Sequence, residues 1–165
     1  MADALDRTEN GTSALRNISW CLSNFMKGLK PPHFPHVALG VPALIRAIQR
    51  TDMDVVINDI IWGISFFTQT AEEENLRCLV ATGGVPRIIQ LIEHAQMQIG
   101  IPALRTIGNL LSASKPDLPQ VAIDAGILQA FGRLIDHPKQ VMRKEVVWSL
   151  ANVTADSADR VKACL

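Results

Sequence analysis

The sequence predicts an all-α chain folded as a right-handed α-solenoid of three-helix repeats. A motif centred on tryptophan returns at a constant period, a glycine returns at the same phase, and no stretch shows the alternation of a β-strand. The chain has 165 residues, 48% of them hydrophobic, and a formal net charge of zero. It is therefore long enough to bury a core, too apolar to be disordered, and not basic enough for a broad nucleic-acid surface.

The tryptophan motif recurs four times along the chain. Its central position is filled by Trp20, Trp62, Arg105 and Trp148, and the position four residues later by Asn24, Phe66, Asn109 and Asn152. The central positions are 42, 43 and 43 residues apart. A constant period in the forties is typical of helical repeats, and residues four apart share one face of a helix. The pattern therefore predicts parallel ladders of tryptophan and asparagine along equivalent helices.

The recurring glycine divides each unit further. Gly40, Gly84 and Gly126 each follow one short amphipathic run and precede another, where one helix should end and the next begin. We therefore predict three helices per repeat of about 42 residues. The second helix spans about ten residues after the glycine, and Asp52 is predicted to N-cap the third helix that follows it. First helices are predicted near 72–82 and 117–124 and from 157 onward, and third helices near 13–28, 53–69, 97–113 and 139–155.

The domain organisation follows from the phase of the repeats. Residues 1–11 are expected to be a flexible N-terminal segment, and residues 12–165 to hold the third helix of one repeat, three full or nearly full repeats, and the first helix of another. Terminal repeats of solenoids need polar covering faces. Leu15, Ile18 and Cys21 at one end, and Val161 and Leu165 at the other, are expected to lack covering helices.

Several functional classes are excluded by residue pattern. The apolar runs are shorter than the ~20 residues of a membrane span, and three cysteines without close spacing favour a reducing compartment. His33 and His36 have the spacing of metal ligands, but no acid or cysteine nearby completes a set. No serine, histidine and acid can be argued into nucleophilic geometry. We therefore predict no enzyme, no catalytic residues, no metal and no cofactor.

The motif resembles the armadillo repeats of the importin-alpha family, whose members recognise nuclear localisation signals. The residues that carry the resemblance are 15–17, Trp20, 22–24, 102–109, 143–145, Trp148 and Asn152. It covers everything after Thr12, whereas residues 1–10 resemble nothing in the family. Arg105 in place of tryptophan and Phe66 in place of asparagine resemble the central repeats, which separate a larger from a smaller peptide site.

The resemblance implies a groove for an extended basic peptide. Neighbouring tryptophan rings, at helix spacings of about 8–10 Å, can take the methylene stems of lysine or arginine and attract their charge by cation–π contacts of ~0.5–2 kcal/mol. Asparagine can bind the peptide main chain. By resemblance the larger site ends with Asn17, Trp20, Asn24, Asp59 and Trp62, and the smaller site includes Arg105, Asn109, Glu145, Trp148 and Asn152, with Phe66 between them. Arg105 could instead have a structural role by pairing with Glu145, and we favour this interpretation.

The implied partners are basic nuclear-localisation-signal peptides of cargo proteins and, in a full-length protein, importin-beta, whose binding segment is not expected in this chain. Neither nucleic acid nor membrane is an expected partner, and the implied location is cytoplasm and nucleus. Gln69 and Lys115 stand where the family commonly has acids, and a lysine near the smaller site should repel a basic peptide. Two alternatives stay open: a generic armadillo scaffold for other partners, and a truncated product without binding activity of its own.

Overall fold

The structure is a computed structural model that describes residues 1–9, 12–27 and 34–155, with the backbone alone at 34 and 35. Within these residues there are eleven helices and no strand, which confirms the all-α prediction. The helices are α1 Ala2–Arg7, α2 Ser13–Phe25, α3 Phe34–Val37, α4 Gly40–Arg50, α5 Asp54–Thr68, α6 Glu73–Ala81, α7 Val85–Ile92, α8 Met97–Leu111, α9 Asp117–Asp124, α10 Ile127–Leu134 and α11 Gln140–Thr154.

The order of the helices reproduces the predicted repeat. The third helices of successive repeats are α2, α5, α8 and α11, and each packs against the next. Helices α4, α7 and α10, which begin at or directly after the recurring glycines, are the second helices, and α3, α6 and α9 are the short first helices. The helix predicted from residue 157 lies outside the described residues. One hydrophobic core runs through the described repeats.

The burial of each helix reflects its position in this layered stack. The second helix α7 buries Val85, Ile88 and Leu91 at helical spacing, as an amphipathic surface helix should. The third helix α5 is packed between α2 and α8 and also contacts α4. Because it has neighbours on several sides, it is apolar around most of its circumference, and Ile60, Ile61 and Ile64 are fully buried.

One of the glycines predicted to separate helices, Gly126, adopts a turn conformation. The N-cap predicted at Asp52 is wrong. Gly126 has φ +91°, a conformation that side chains with a Cβ rarely adopt. Helix α5 is preceded by Met53 as its N-cap, without a side-chain cap. The backbone at Thr51 is still extended, and the Met53 amide donates to Thr51 Oγ1 at 3.2 Å. The N-cap of α5 is therefore Met53, one residue after the predicted Asp52.

The N-terminal end of the stack is covered by α1, which packs against α4 and α2. Leu5 and Leu15 are both fully buried, so the prediction that Leu15 lacks a covering helix is wrong. Ile18 and Cys21 are partly buried. The sequence missed this cover because a six-residue helix is too short to show a periodic pattern.

Two arginines of α4 hold α1 in place. Arg46 Nε donates to Asp6 Oδ1 at 2.9 Å, and Arg50 Nη1 donates to the Asp6 carbonyl oxygen at 2.9 Å. Residues 2–7 are thus helical and packed, while the flexibility expected for residues 1–11 stays a prediction. Val161 and Leu165, the predicted uncovered residues at the other end, lie outside the described residues.

Candidate peptide-binding groove

The four third helices lie side by side and present the motif residues on one surface. Trp20 is 59% exposed and Trp148 is 45% exposed, whereas Trp62, between them, is partly buried. A tryptophan that served the core would be largely buried. The repeated aromatic position therefore belongs to the surface of the solenoid.

A cavity of about 330 Å³ lies between α2 and α5, and we call it the N-terminal slot. It brings together five predicted site residues, namely Trp20, Asn24, Asp59, Trp62 and Phe66. Its remaining lining residues are Ser23, Lys27, Asn58 and Gly63. Two aromatic walls and a carboxylate are therefore present in one cavity, as the resemblance implies for a basic side chain.

Gly63 allows the two helices to approach closely beneath this slot. A Cβ atom at residue 63 would stand 2.8 Å from Ser23 Cβ and 2.9 Å from the Ser23 backbone, closer than real Cβ contacts. Any larger residue would therefore push α2 and α5 apart. The width of the slot depends on this glycine.

Asp59 is partly buried in the wall of the N-terminal slot. Burial raises the pKa of its carboxyl above the usual value, while the positive charge of Arg16 and a hydrogen bond from the Asn58 side chain act in the opposite direction. Burial penalises the charged form because water is removed from it. A ligand cation entering the slot would replace part of that lost hydration.

Lys27 is a groove residue that sequence reasoning missed. Its Nζ lies 5.7 Å from the centroid of the Phe66 ring, within cation–π range. The Phe66 ring in turn lies 5.8 Å from that of Trp62, at an interplanar angle of 31°. The available signal was spacing, because Lys27 is three residues after Asn24 and so shares its helix face.

A second cavity, of about 570 Å³, lies among α5, α8 and α11, and we call it the C-terminal slot. It is lined by Trp62, Ser65, Phe66, Gln69, Arg105, Asn109, Lys144, Glu145 and Trp148. Arg105 Nε donates to Glu145 Oε1 at 3.0 Å, which confirms the favoured pairing of these two residues. The Arg105 guanidinium carbon also lies 6.0 Å from the Trp62 ring centroid.

The charge of the C-terminal slot differs from that of the N-terminal slot. Arg105 and Lys144 are its cations and Glu145 is its single acid, so the lining carries an excess positive charge. Lys115, the lysine singled out in the sequence, is exposed and lines neither slot. The cation that opposes a basic ligand here is Lys144, whose position four residues before Trp148 could have been read from the motif.

The asparagine ladder is already engaged within the protein. Asn24 Nδ2 donates to the Trp20 carbonyl at 2.9 Å, Asn109 Nδ2 to Thr68 Oγ1 at 3.2 Å, and Asn152 Nδ2 to the Gly108 carbonyl at 3.4 Å. Asn17 is exposed, and neither it nor Asn152 lines either slot. Their contact with a peptide main chain stays a prediction.

Other kinds of site find little support in the described part of the chain. Residues 1–9, 12–27 and 34–155 contain no group of three or more histidine, cysteine, aspartate or glutamate side chains placed to bind a metal ion. In the same residues, none of the helices has both the length and the hydropathy needed to cross a membrane.

Comparison with known proteins shows which family this chain is similar to. The model of the Armadillo/beta-catenin-like repeat matches residues 115–155. Importin subunit alpha-1a of Oryza sativa subsp. japonica is 29% identical over 153 residues, which cover 93% of this chain and 29% of that protein. Importin subunit alpha-3 of Arabidopsis thaliana is 36% identical over 138 residues, which cover 82% of this chain and 25% of that protein. The chain thus spans between a quarter and three tenths of these relatives.

Solved structures with the same fold include designed proteins. A designed armadillo repeat protein in complex with the peptide (KR)4 superposes with a TM-score of 0.83 at 19% identity, covering 99% of this chain and 66% of that chain. Computationally designed armadillo repeat proteins for modular peptide recognition give a TM-score of 0.85 at 18% identity, covering 99% of this chain and 67% of that one. These similarities establish the armadillo solenoid fold.

Proposed function

The chain belongs to the importin-alpha armadillo-repeat family, and from this premise and the geometry of the groove we propose that it binds lysine- and arginine-rich peptides in an extended conformation across its third helices. The relatives are named importin alpha subunits, and one structural neighbour is a complex with a peptide of alternating lysine and arginine. We propose that the bound peptides are nuclear localisation signals of cargo proteins.

The N-terminal slot is the observation that carries this proposal. Trp20 and Trp62 face one cavity together with the carboxylate of Asp59. A lysine or arginine stem between the rings would bury methylene groups, and its charge would meet both the aromatic faces and the acid. The peptide main chain would then pass Asn24, whose carboxamide oxygen can accept a hydrogen bond.

The C-terminal slot contributes less to the binding of a basic peptide. Its excess positive charge repels lysine and arginine, and Glu145 is already paired with Arg105. With one effective slot, we expect affinity in the micromolar range or weaker, since each loss of ~1.4 kcal/mol raises Kd tenfold.

Calorimetric titration with a lysine-rich peptide tests the proposal. Trp20→Ala and Trp62→Ala should each weaken binding by roughly tenfold, because each removes one wall of the slot. Trp148→Ala is the matched control, since it removes an exposed tryptophan from the equivalent position of α11. It should have a smaller effect.

Two outcomes of this titration would contradict the proposal. If Trp148→Ala abolishes binding while Trp20→Ala has no effect, the working slot is wrongly assigned. If none of the three variants differs from wild type, the groove does not bind the peptide. Trp20 is 59% exposed, so its truncation leaves the core intact and a loss of binding cannot be ascribed to unfolding.

A second candidate function is a scaffold for a less basic partner. Lys27 lies over Phe66, and Arg105 and Lys144 line the C-terminal slot, so part of the groove suits neutral or acidic side chains. The same titration with an acidic peptide of equal length separates the two candidates, because only the scaffold should bind it more tightly than the lysine-rich one.

The cellular role follows from the relatives rather than from the groove. We propose that the protein acts as a nuclear import adapter that moves between cytoplasm and nucleus, as the name importin implies for its relatives. Importin-beta as the partner of a longer chain is part of the same proposal. Co-precipitation of the chain with a nuclear-localisation-signal cargo, lost in Trp62→Ala, would support it, and retention of the cargo by that variant would contradict it.

A further inference from the structure

The third helices α5, α8 and α11 share one hydrogen bond at their starts. Their N-cap residues are Met53, Gln96 and Lys139. The backbone amide of each N-cap residue donates to the side chain two residues earlier, and these acceptors stand 43 residues apart along the chain. We call them the acceptor ladder: Thr51 Oγ1 at 3.2 Å, His94 Nδ1 at 3.1 Å and His137 Nδ1 at 3.1 Å. Each acceptor satisfies an amide that the side chain at N3 would satisfy in a capping box.

The acceptor ladder changes its chemistry along the chain. Its first member is the hydroxyl of Thr51, and helix α2 is also capped by a hydroxyl, since the Leu15 amide donates to Thr12 Oγ1 at 3.2 Å. A threonine hydroxyl stays neutral, whereas an imidazole gains a proton between about pH 5 and pH 8. The starts of α8 and α11 therefore depend on a titratable acceptor, and those of α2 and α5 do not.

The hydrogen bonds of His94 and His137 fix which form of the imidazole is present. A ring nitrogen that accepts an amide hydrogen bears a lone pair, so each ring is neutral and carries its hydrogen on Nε2. A proton taken up from water binds at Nδ1 and turns this acceptor into a donor that faces another N–H. Protonation therefore breaks the hydrogen bond to Gln96 or to Lys139.

The charged groups around the two rings differ. His94 Nε2 lies 3.4 Å from Asp54 Oδ1, so a protonated His94 gains an ion pair with α5. Met97 stands 43 residues after Asp54, and in the described part of the chain the His137 ring has no carboxylate within ion-pair distance. The His137 carbonyl instead accepts from Arg143 Nη1 at 2.6 Å. The remaining charged neighbours are Glu93, which pairs with Arg133, beside His94, and Asp136 and Lys139 beside His137.

We propose that His94 and His137 are proton-sensitive anchors, which release the starts of α8 and α11 on acidification while those of α2 and α5 stay in place. The two released helices carry the charged lining of the C-terminal slot, namely Arg105, Lys144 and Glu145. The N-terminal slot is lined by α2, α5 and Lys27. Acidification therefore loosens one half of the groove and not the other. This device goes beyond the proposed function, because it belongs to the free chain and needs no peptide.

Nuclear magnetic resonance of the whole 15N-labelled chain tests the proposal at about pH 7.5 and about pH 5.5, across the range in which imidazoles titrate. At the higher pH, the ring nitrogen signals of His94 and His137 should show a hydrogen on Nε2 and a lone pair on Nδ1. At the lower pH, both rings should have gained a proton on Nδ1.

Hydrogen exchange of first-turn amides measures the release of each helix. Gly100 and Arg143 donate to the N-cap carbonyls of α8 and α11, and Ile57 is the equivalent donor of α5. After correction for the effect of pH on free amides, the protection of Gly100 and Arg143 should fall by about threefold to tenfold on acidification, as for the loss of a helix cap. The protection of Ile57 should change by less than about twofold.

Threonine variants are matched to the chain's own acceptor ladder, because Thr51 makes the same hydrogen bond with a hydroxyl. His94→Thr should make the protection of Gly100 independent of pH, while Arg143 responds as in wild type. His137→Thr should do the reverse, so each variant is the control for the other. Thermal unfolding of both variants at the two pH values shows whether the fold is retained.

Three results would overturn the proposal. In the first, His94 or His137 carries a hydrogen on Nδ1 at the higher pH, so that its ring is not the acceptor. In the second, Gly100 or Arg143 keeps its protection at the lower pH. In the third, Ile57 loses protection as well, or a folded threonine variant keeps the response to pH, so that the cause lies elsewhere in the chain. Peptide binding enters none of these measurements, so a failure of the proposed function would leave the inference standing.

Discussion

At the scale of single residues, the groove already holds a cation of its own. Lys27 Nζ lies over the Phe66 ring at the edge of the N-terminal slot. An incoming lysine would meet an ammonium of like charge and an aromatic face that is partly occupied. We therefore expect Lys27 to compete with the basic ligand that we propose for this slot.

Replacing this competitor should strengthen binding. We expect Lys27→Ala to lower the Kd for a lysine-rich peptide by about threefold to tenfold, the range of one partly screened charge and one cation–π contact. Lys139→Ala is the control, because Lys139 is exposed and lines neither slot. The effect should shrink at high salt. Unchanged or weaker binding by Lys27→Ala would show that Lys27 does not compete.

Asp59 is expected to destabilise the fold while it strengthens peptide binding. Burial raises the pKa of its carboxyl in the folded chain, so the folded state binds the proton more readily than the unfolded state does. The ionised carboxylate therefore destabilises the fold at neutral pH, and this penalty disappears as the pH falls through the raised pKa. Asp59→Asn should unfold at the same temperature as wild type or higher, yet bind a lysine-rich peptide more weakly.

Peptide affinity should depend on pH in the direction opposite to the stability of the fold. As the pH falls toward the usual aspartate value of 3.8, protonation of Asp59 begins earlier than for an ordinary aspartate, and wild type should lose affinity over that range. Asp59→Asn should lack this component. Titrations at several pH values, beside thermal unfolding, measure both effects. A lower unfolding temperature with unaltered binding would mean that Asp59 is structural.

Much of the groove could be predicted from the sequence, because repetition reveals it. Trp20 and Trp62 were identified by their shared phase, and helical spacing added the residues four positions away. Lys27 shares a helix face with Asn24, but it does not repeat in kind, because Gln69 and Ser112 stand at the same phase of the next two units. Its place over Phe66 depends on the neighbouring helix, which spacing within one helix does not describe.

At the scale of helices, α1 is the element that the sequence did not predict. It occupies the end of the stack against α4 and α2, and Leu5 is its fully buried side chain. A single turn and a half of helix is unstable in isolation, so its structure depends on packing. The longer helices could be predicted because their apolar periodicity, glycines and repeat phase all agree.

The contribution of α1 can be measured by truncating its buried leucine. Leu5→Ala should reduce the free energy of unfolding by about 2–4 kcal/mol, from lost burial and the cavity left behind. Leu39→Ala is the matched control, because Leu39 is 79% exposed and should change stability by less than about 0.5 kcal/mol. Chemical denaturation measures both. Equal, small effects would show that α1 does not stabilise the end of the solenoid.

At the scale of the whole molecule, charged pairs connect successive repeats at a common spacing. Asp6 with Arg46, Arg77 with Asp117, Glu93 with Arg133 and Arg105 with Glu145 are each 40 residues apart. This separation is two to three residues shorter than the period of 42 to 43 residues, so each pair connects neighbouring units of the stack. A single repeat does not reveal such pairs, because both partners become close only when repeats stack.

The same stacking leaves an apolar face on α11. Val147 is 55% exposed, whereas the residues at its position in the preceding third helices, Leu104 and Ile61, are fully buried by the next repeat. Trp148 is 45% exposed and Val141 is 39% exposed on the same helix. Exposed apolar faces of this kind promote association or need a cover.

We therefore expect the 165-residue chain to self-associate as its concentration rises, through this face. Val147→Glu should weaken association, because it places a charge where burial would otherwise be favourable. Val55→Glu is the matched control, since Val55 is 38% exposed on α5. Sedimentation velocity over a range of concentrations measures the effect. If wild type is a monomer throughout, or if both variants dissociate equally, the face on α11 is not the site of association.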